Sequence, residues 1–426
     1  MPLLRKPETL MYAYWQLLRS HTRFVTFGLI IAFGSSFGQT YFFGVFGPSI
    51  QQDFGLSHTQ WGGVYMAGTL LSALLLPVTG KWIDQISLPR YTLLVLLLLV
   101  LANLFITQVH SLWWLVAGVF LLRHAGQGLM SHVAYTAMGR YFDQQRGKAT
   151  AFVSVGFAMG EAMLPIIAVI CIAAVGWRTT YMGVALVILL CIAPLSMWLL
   201  RGHANRHQAY EQQLESQEQG AENGPSNSKA NPISWRRREV LKDYRFYLMV
   251  PGLSAISMIS TAMFFHHLNL ADEKGWSHAF LTGNYLLYSL VAISVAIITG
   301  QLVDRFSART LMPYTLLPLA LALVIINLFD AYWVIWPYFI LLGLGNGFAQ
   351  TTQAALWPEC YGVRYLGAIK SLFWTLVVFA SALGPVWLGL MMDKGWLLQD
   401  AVLTMAAYLL LATGLLVLGL RGFDRA

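Results

Sequence analysis

Two ionisable side chains stand inside runs that are otherwise apolar. Arg123, in Arg123-His124-Ala125-Gly126-Gln127-Gly128, lies about 12 residues into one run, roughly 18 Å deep by helical rise and near the middle of a bilayer. Glu161, in Gly156-Phe-Ala-Met-Gly160-Glu161-Ala-Met-Leu-Pro165, lies about 14 residues into the next run, so antiparallel helices bring it within a turn or two of the same depth. An ionised group at that depth is costly unless it faces water or a partner, which makes both functional candidates. A guanidinium can hold an anionic solute, and a carboxyl can exchange a proton as its partner comes and goes. The expected chemistry is therefore an anion competing for Arg123 while Glu161, its expected partner, takes up a proton. A buried pair that only holds two helices together is the structural alternative.

Other polar residues in apolar runs are candidates to line a solute path: Gln39, Tyr41, Gln127, Asn284, Tyr288, Asn346 and Gln350. Taken singly, each reads first as an interhelical hydrogen-bonding group. His266 and His267 end a run and are expected at an interface near the outer mouth. Gly80-Lys-Trp-Ile-Asp84, followed by Arg90, recurs as Gly300-Gln-Leu-Val-Asp304, followed by Arg305 and Arg309. There Gly allows close helix approach, and Asp can cap a helix or pair with a base across a gate. Neither Gly-x-x-x-x-Gly-Lys-[Ser/Thr] nor His-Glu-x-x-His occurs, and Cys171, Cys191 and Cys360 lack metal-ligand spacing. No enzyme activity, cofactor or metal is expected.

The elements that hold these residues follow from composition. Of 426 residues, 57% are hydrophobic and 11% charged, whereas soluble domains are about 25% charged. Stretches such as Tyr91 to Thr107 carry no charge, and only helices or closed barrels satisfy their backbone in lipid. Spans are expected at 24–48, 60–79, 91–108, 112–136, 148–174 and 179–200, then at 246–268, 279–299, 311–329, 332–356, 366–391 and 400–420. The chain divides into an N-terminal segment 1–23, a six-helix bundle 24–200, a linker 201–245, a second bundle 246–420 and a tail 421–426. Within the linker, Asn205 to Pro232 is polar and lacks apolar periodicity, so a flexible tether is expected.

Alternate loops test this count. With both termini cytoplasmic, the inner segments hold 23 of the 27 Lys and Arg, the outer loops hold Arg178, Lys274 and Lys394, and Arg123 remains. The net charge of +8 thus reflects orientation, and no nucleic-acid partner is expected. An offset of 220 residues relates Gly80 to Gly300, Asp84 to Asp304, Tyr141 to Tyr361 and Pro165 to Pro385, and one of 219 relates Gly126-Gln127-Gly128 to Gly345-Asn346-Gly347. Two related bundles leave a cleft between them. Subtracting one half from the other leaves Arg123 (opposite Leu342) and Glu161 (opposite Ser381) unmatched.

In these repeated loops and in the Arg-containing fourth helix the chain resembles the major facilitator superfamily, with Gln85 where the family has Arg. The resemblance implies an all-α integral membrane fold of twelve helices in two pseudo-symmetric six-helix bundles, gating by the Gly80 and Gly300 loops, and a central site among the first, fourth, seventh and tenth helices. Tyr141 to Ala149, opening a glycine-rich fifth helix, is similar to the monocarboxylate and oxalate/formate branch. The function implied is secondary transport by alternating access in a bacterial inner membrane, as a monomer: proton-coupled uptake of a small organic anion, with Arg123, Gln127, Gln39, Tyr41, Asn346 and Gln350 at the substrate and Glu161 at the proton. Proton-coupled export of hydrophobic or cationic compounds is the alternative, and a non-transporting receptor or scaffold is a third reading.

Overall fold

The computed structural model describes residues 7–142, 145–222, 235–362 and 365–424. The start of the N-terminal segment, the middle of the Tyr141 to Ala149 motif, the rest of the tether and the end of the tail lie outside the described residues. Among those described, no strand occurs and, apart from one helix in the linker, twelve long helical runs follow one another.

In the first half, α1 runs from Pro7–Ser35 through shorter turns to Gly47–Phe54. Its two parts, Trp15–Gly38 and Thr40–Phe54, meet at 45°. The break falls at Gln39, which is extended, among Ser35, Ser36, Gly38 and Gly44, where helix propensity is weak. Next come α2 (His58–Thr79), opened by a Ser57–Gln60 capping box, and α3 (Leu88–Thr107). In α4, Leu112–Leu122 passes through a wide turn at Arg123–Met130 into Ser131–Tyr141. α5 is Arg146–Val175 and α6 is Trp177–Leu199. The second half comprises α7 (Tyr244–Glu273), α8 (His278–Phe306), α9 (Ala308–Leu328), α10 (Tyr332–Val334 continuing as Ile335–Tyr361), α11 (Leu366–Asp393) and α12 (Leu398–Asp424).

Ten of these runs, counting bent α1 as one, are long and apolar enough to cross a membrane. The two that fall short are α4 and α10, which carry Arg123, His124 and Gln127, and Asn346, Gln350 and Gln353. Leu74, Leu101, Leu190 and Leu410 are among many large apolar side chains on the outer surface, as a lipid-facing belt requires. Each half has its own apolar core, and Phe265 and Leu268 of α7 join the core of the first half. The halves meet through α2 with α11, α5 with α8, and α1 with α7.

One expectation is corrected here. The first part of the tether, from Asn205, read as flexible, lies in a helix, His203–Glu222. Ala, Gln, Glu and Leu favour a helix without any apolar stripe. Its first turns dock on the first bundle: the His203 ring stacks on Phe24 at 5.8 Å, the Arg206 guanidinium lies 4.0 Å from the Phe24 ring centre, and Tyr141 Oη is 3.1 Å from His207 Nδ1.

Candidate functional site

A cavity of about 450 Å³ lies between the halves. Its floor is made by Gln39, Thr40 and Tyr41 at the α1 break, Gln127 in the wide turn of α4, and Glu161 on α5. The α7 and α10 wall contributes Ser260, Phe264, Asn346 and Gln350, and Tyr288 of α8 adds to it. Trp357, near the end of α10, and Lys370, Phe373 and Trp374, near the start of α11, extend the lining to the face that carries most of the basic residues. The cavity therefore opens toward that basic face.

The opposite face is shut. Asp393, ending α11, accepts hydrogen bonds from Ser57 Oγ (2.7 Å), the His58 amide (2.9 Å) and the Thr59 amide (2.8 Å), so its carboxylate sits on the N-terminus of α2 in the other half. Beneath it, Phe265 of α7 packs among Trp61 (5.5 Å), Tyr65 (4.8 Å) and Phe43 (6.3 Å) of the first half. The clamp needs Gly389, because a Cβ there would come within 2.5 Å of the His58 carbonyl oxygen.

Arg123 does not line the cavity. It is 1% exposed, behind the wall, and donates from Nη1 to the Gly38 carbonyl (2.9 Å) and Thr40 Oγ1 (3.3 Å) and from Nε to Thr69 Oγ1 (3.2 Å), with its guanidinium 4.9 Å from the Tyr65 ring centre. It satisfies backbone freed by the α1 break. The wide turn of α4 fits against that break because neither Gly38 nor Gly126 has a Cβ; one on Gly126 would lie 2.6 Å from the Gly38 Cα. The expected Arg123–Glu161 pair is absent among the described residues. Depth along a helix leaves direction around it open, and the two side chains point to different neighbours. Glu161 instead accepts from Ser289 Oγ of α8 at 3.4 Å, across the junction of the halves. Gly156 and Gly160 beside it pack against α1.

Gln39, Tyr41, Gln127, Asn346 and Gln350, and with them Tyr288, all line the cavity as expected, whereas Asn284 bonds to the Phe280 carbonyl. Asn346 donates to Ser260 Oγ (2.9 Å) and Gln350 to Asn346 Oδ1 (3.3 Å). Sequence reasoning missed Ser257, Ser260 and Thr261, although their i, i+3, i+4 spacing marks one polar face of α7. It also missed the aromatic mouth and Lys370. His266 and His267, expected at an interface, are buried, because α7 continues to Glu273. His267 Nδ1 and Nε2 contact Tyr285 Oη (2.8 Å) and Tyr338 Oη (2.7 Å).

In the gating loops, Asp84 pairs with Arg140 of its own half, not across the gate. Gly80 lies against His132, but Gly300 faces open space. Asp304 and Arg305 are exposed, and the Arg305 guanidinium lies over Phe306. Glu359 of α10 caps the loop that holds Arg309, accepting from the amides of Ala308 (2.9 Å) and Arg309 (3.2 Å). Arg90 is exposed.

Comparisons with known proteins agree with this architecture. The model of the family described as Major Facilitator Superfamily matches residues 28–385. Over 169 residues, 37% of this chain, the sequence is 28% identical to the fosmidomycin resistance protein of Escherichia coli (strain K12), and the match spans 39% of that relative's length. A bacterial homolog of the human lysosomal transporter Spinster, solved inward-facing and unoccupied, superposes with a TM-score of 0.71 over 94% of this chain and 97% of that one, at 15% identity. The occupied inward-facing form of that homolog gives 0.71 over 96% and 98%, at 16% identity.

Proposed function

The chain belongs to the major facilitator superfamily and is a transporter, and on that premise we propose that it is a proton-coupled exporter of a small amphipathic solute bearing a cationic or strongly hydrogen-bond-donating group. The observation that carries this reading is Glu161. Among the described residues it is the one carboxyl lining the cavity, it has no cationic partner, and its single hydrogen bond reaches the opposite half. A carboxylate held in the membrane interior without a counter-charge is costly, and either a proton or a cationic solute relieves that cost. Binding of one therefore displaces the other, and both act where the halves must rock apart. The burial of Arg123 turns the reading away from an anion held at midplane. The resistance protein matched over part of the chain supports export as the direction.

The basic face, toward which the cavity opens, is assigned to the cytoplasm by the excess of Lys and Arg in its loops, with the protein in a bacterial inner membrane and working as a monomer. Solute would enter from the cytoplasm, and breaking the Asp393 clamp would release it outside.

A thermal-shift screen of purified protein against small carboxylates and lipophilic cations at two pH values identifies the solute, since a ligand stabilises the state that binds it. In proteoliposomes, Glu161→Gln is then expected to abolish proton-driven accumulation while counterflow exchange persists. Unchanged pH-driven flux in that variant, or stabilisation by carboxylates alone at both pH values, would overturn the proposal.

A further inference from the structure

The cavity holds a second charge that the mechanism above leaves unused. Lys370 lines it on α11, beside Trp357, Phe373 and Trp374, and makes no hydrogen bond or ion pair among the described residues. Trp357 and Phe373 pack ring to ring at 4.7 Å, so this part of the wall is a broad aromatic surface. The repeat separates scaffold from specialisation here. Glu161 on α5 stands opposite Ser381 on α11, and Lys370 on α11 stands opposite Thr150 on α5, so neither charge is needed by the shared fold. Ser381 lies eleven residues beyond Lys370, which places the backbones of the two charged residues about 16 Å apart in depth, with Glu161 at the floor and Lys370 at the mouth. At that offset they do not neutralise each other directly, and a solute with a single charge would leave one of them unmatched.

We propose that Lys370 is the anion subsite of a dipolar solute: one with an amine or comparable cation at the Glu161 end, an apolar or aromatic body against Trp357, Phe373 and Trp374, and a carboxylate, sulfonate or phosphonate at the Lys370 end. This rests on the reading of Glu161 as the site where solute and proton compete, and it narrows the solute class. Neutral hydrogen-bonding groups between the charges, among them Gln350 and Gln353, accommodate the body without fixing its chemistry.

The test needs no transport. In Ala354→Cys, whose new thiol lines the same wall, labelling by a negatively charged sulfonate-bearing methanethiosulfonate and by its positively charged ammonium-bearing counterpart is followed by peptide mass spectrometry at residue 354. Relative to a free thiol in solution, the sulfonate-to-ammonium rate ratio is expected to be raised, and adding Lys370→Gln should lower that ratio about threefold or more, with Lys370→Arg restoring it. Protection by 4-(2-aminoethyl)benzoate is expected to exceed that by benzoate or 2-phenylethylamine, and Lys370→Gln should remove the difference from 2-phenylethylamine. A rate ratio unaffected by Lys370→Gln overturns the anion subsite. Protection by none of the three, or by 2-phenylethylamine alone, overturns the dipolar assignment. Added phosphatidylethanolamine protecting where 4-(2-aminoethyl)benzoate does not would give the site to a lipid headgroup, overturning the soluble-solute assignment. Because the readout is labelling, a failure here leaves the Glu161→Gln flux result standing, and the reverse also holds.

Discussion

The two halves share a fold but differ in how they carry polarity. In the first half, α1 is broken at Gln39, α4 widens at Arg123–Met130, and a buried guanidinium ties the two distortions together. In the second half, α7 is one continuous helix, α10 stays regular beside the cavity, and Leu342, 1% exposed, stands where the first half has Arg123. The same topology tolerates both arrangements, so the distortions belong to the site. The irregular half presents backbone-adjacent groups such as Gln39, Thr40 and Tyr41, whereas the regular half faces them with the uncharged polar groups Ser260, Asn346 and Gln350 and carries its charge, Lys370, at the mouth. The closure on the far face is equally one-sided. Asp393 ends α11 on the N-terminus of α2, while its counterpart by the repeat, near the end of α5, is Ala173.

Replacing Arg123 by Leu, the residue of the other half, is expected to have the largest effect. It leaves the Gly38 carbonyl without its donor, and a lost hydrogen bond to a charged group costs about 1.5 to 3 kcal/mol. Thermal unfolding should shift down by several degrees, and transport should fall more than Arg123→Lys reduces it. An Arg123→Leu protein with wild-type stability and flux would break the claim that the guanidinium holds the α1 break. Asp393→Ala should act next. It removes three hydrogen bonds between halves but touches no cavity residue, so it should shift the population toward opening on the far face by roughly tenfold or more. Spin-label distances between residues outside the clamp read this shift, and an unchanged distribution would show that the aromatic packing alone seals that face.

The smallest effect concerns the basic-face anchors. Tyr141 meets His203 and His207 of the linker helix, whereas Tyr361 donates to Asp243 and packs on Phe423. Burial, with Arg206, His207 and Arg140 nearby, lowers His203 from 6.5 to about 4. A docked state that keeps His203 neutral is stabilised fully above the free value. That stability is lost progressively as pH falls from about 6.5 toward 4. Hydrogen exchange in residues 203–212 should therefore rise over that window in wild type and stay flat in His203→Phe, while exchange around Tyr361 stays flat in both. Equal acid sensitivity at the two anchors would erase the distinction.

Much of this was legible from the residues alone. Hydrophobic runs, the placement of Lys and Arg, and the 220-residue offset specify helices, halves and a cleft, because each reflects a constraint that acts along the chain. Polar residues in apolar runs located six of the cavity groups and Glu161 for the same reason. Arg123 was misread because what decides its role is azimuth and a break in a different helix, neither of which is encoded in its own neighbourhood. The Asp393 clamp was missed because an Asp at a helix end reads as an ordinary solvated residue, and only the approach of α2 makes it a bridge. Lys370 counted among the loop bases, since the sequence does not tell a mouth from a surface.

The shortfall of α4 and α10 as membrane spans has a consequence for how the protein is made. Neither would partition into lipid readily alone, yet each follows an apolar helix, α3 or α9, after a short connection at residues 108–111 or 329–331. Biogenesis should then insert α3 with α4, and α9 with α10, as hairpins, the apolar member carrying the polar one until the bundle encloses it. The residues that serve the cavity thereby set the order in which the nascent chain leaves the insertion machinery.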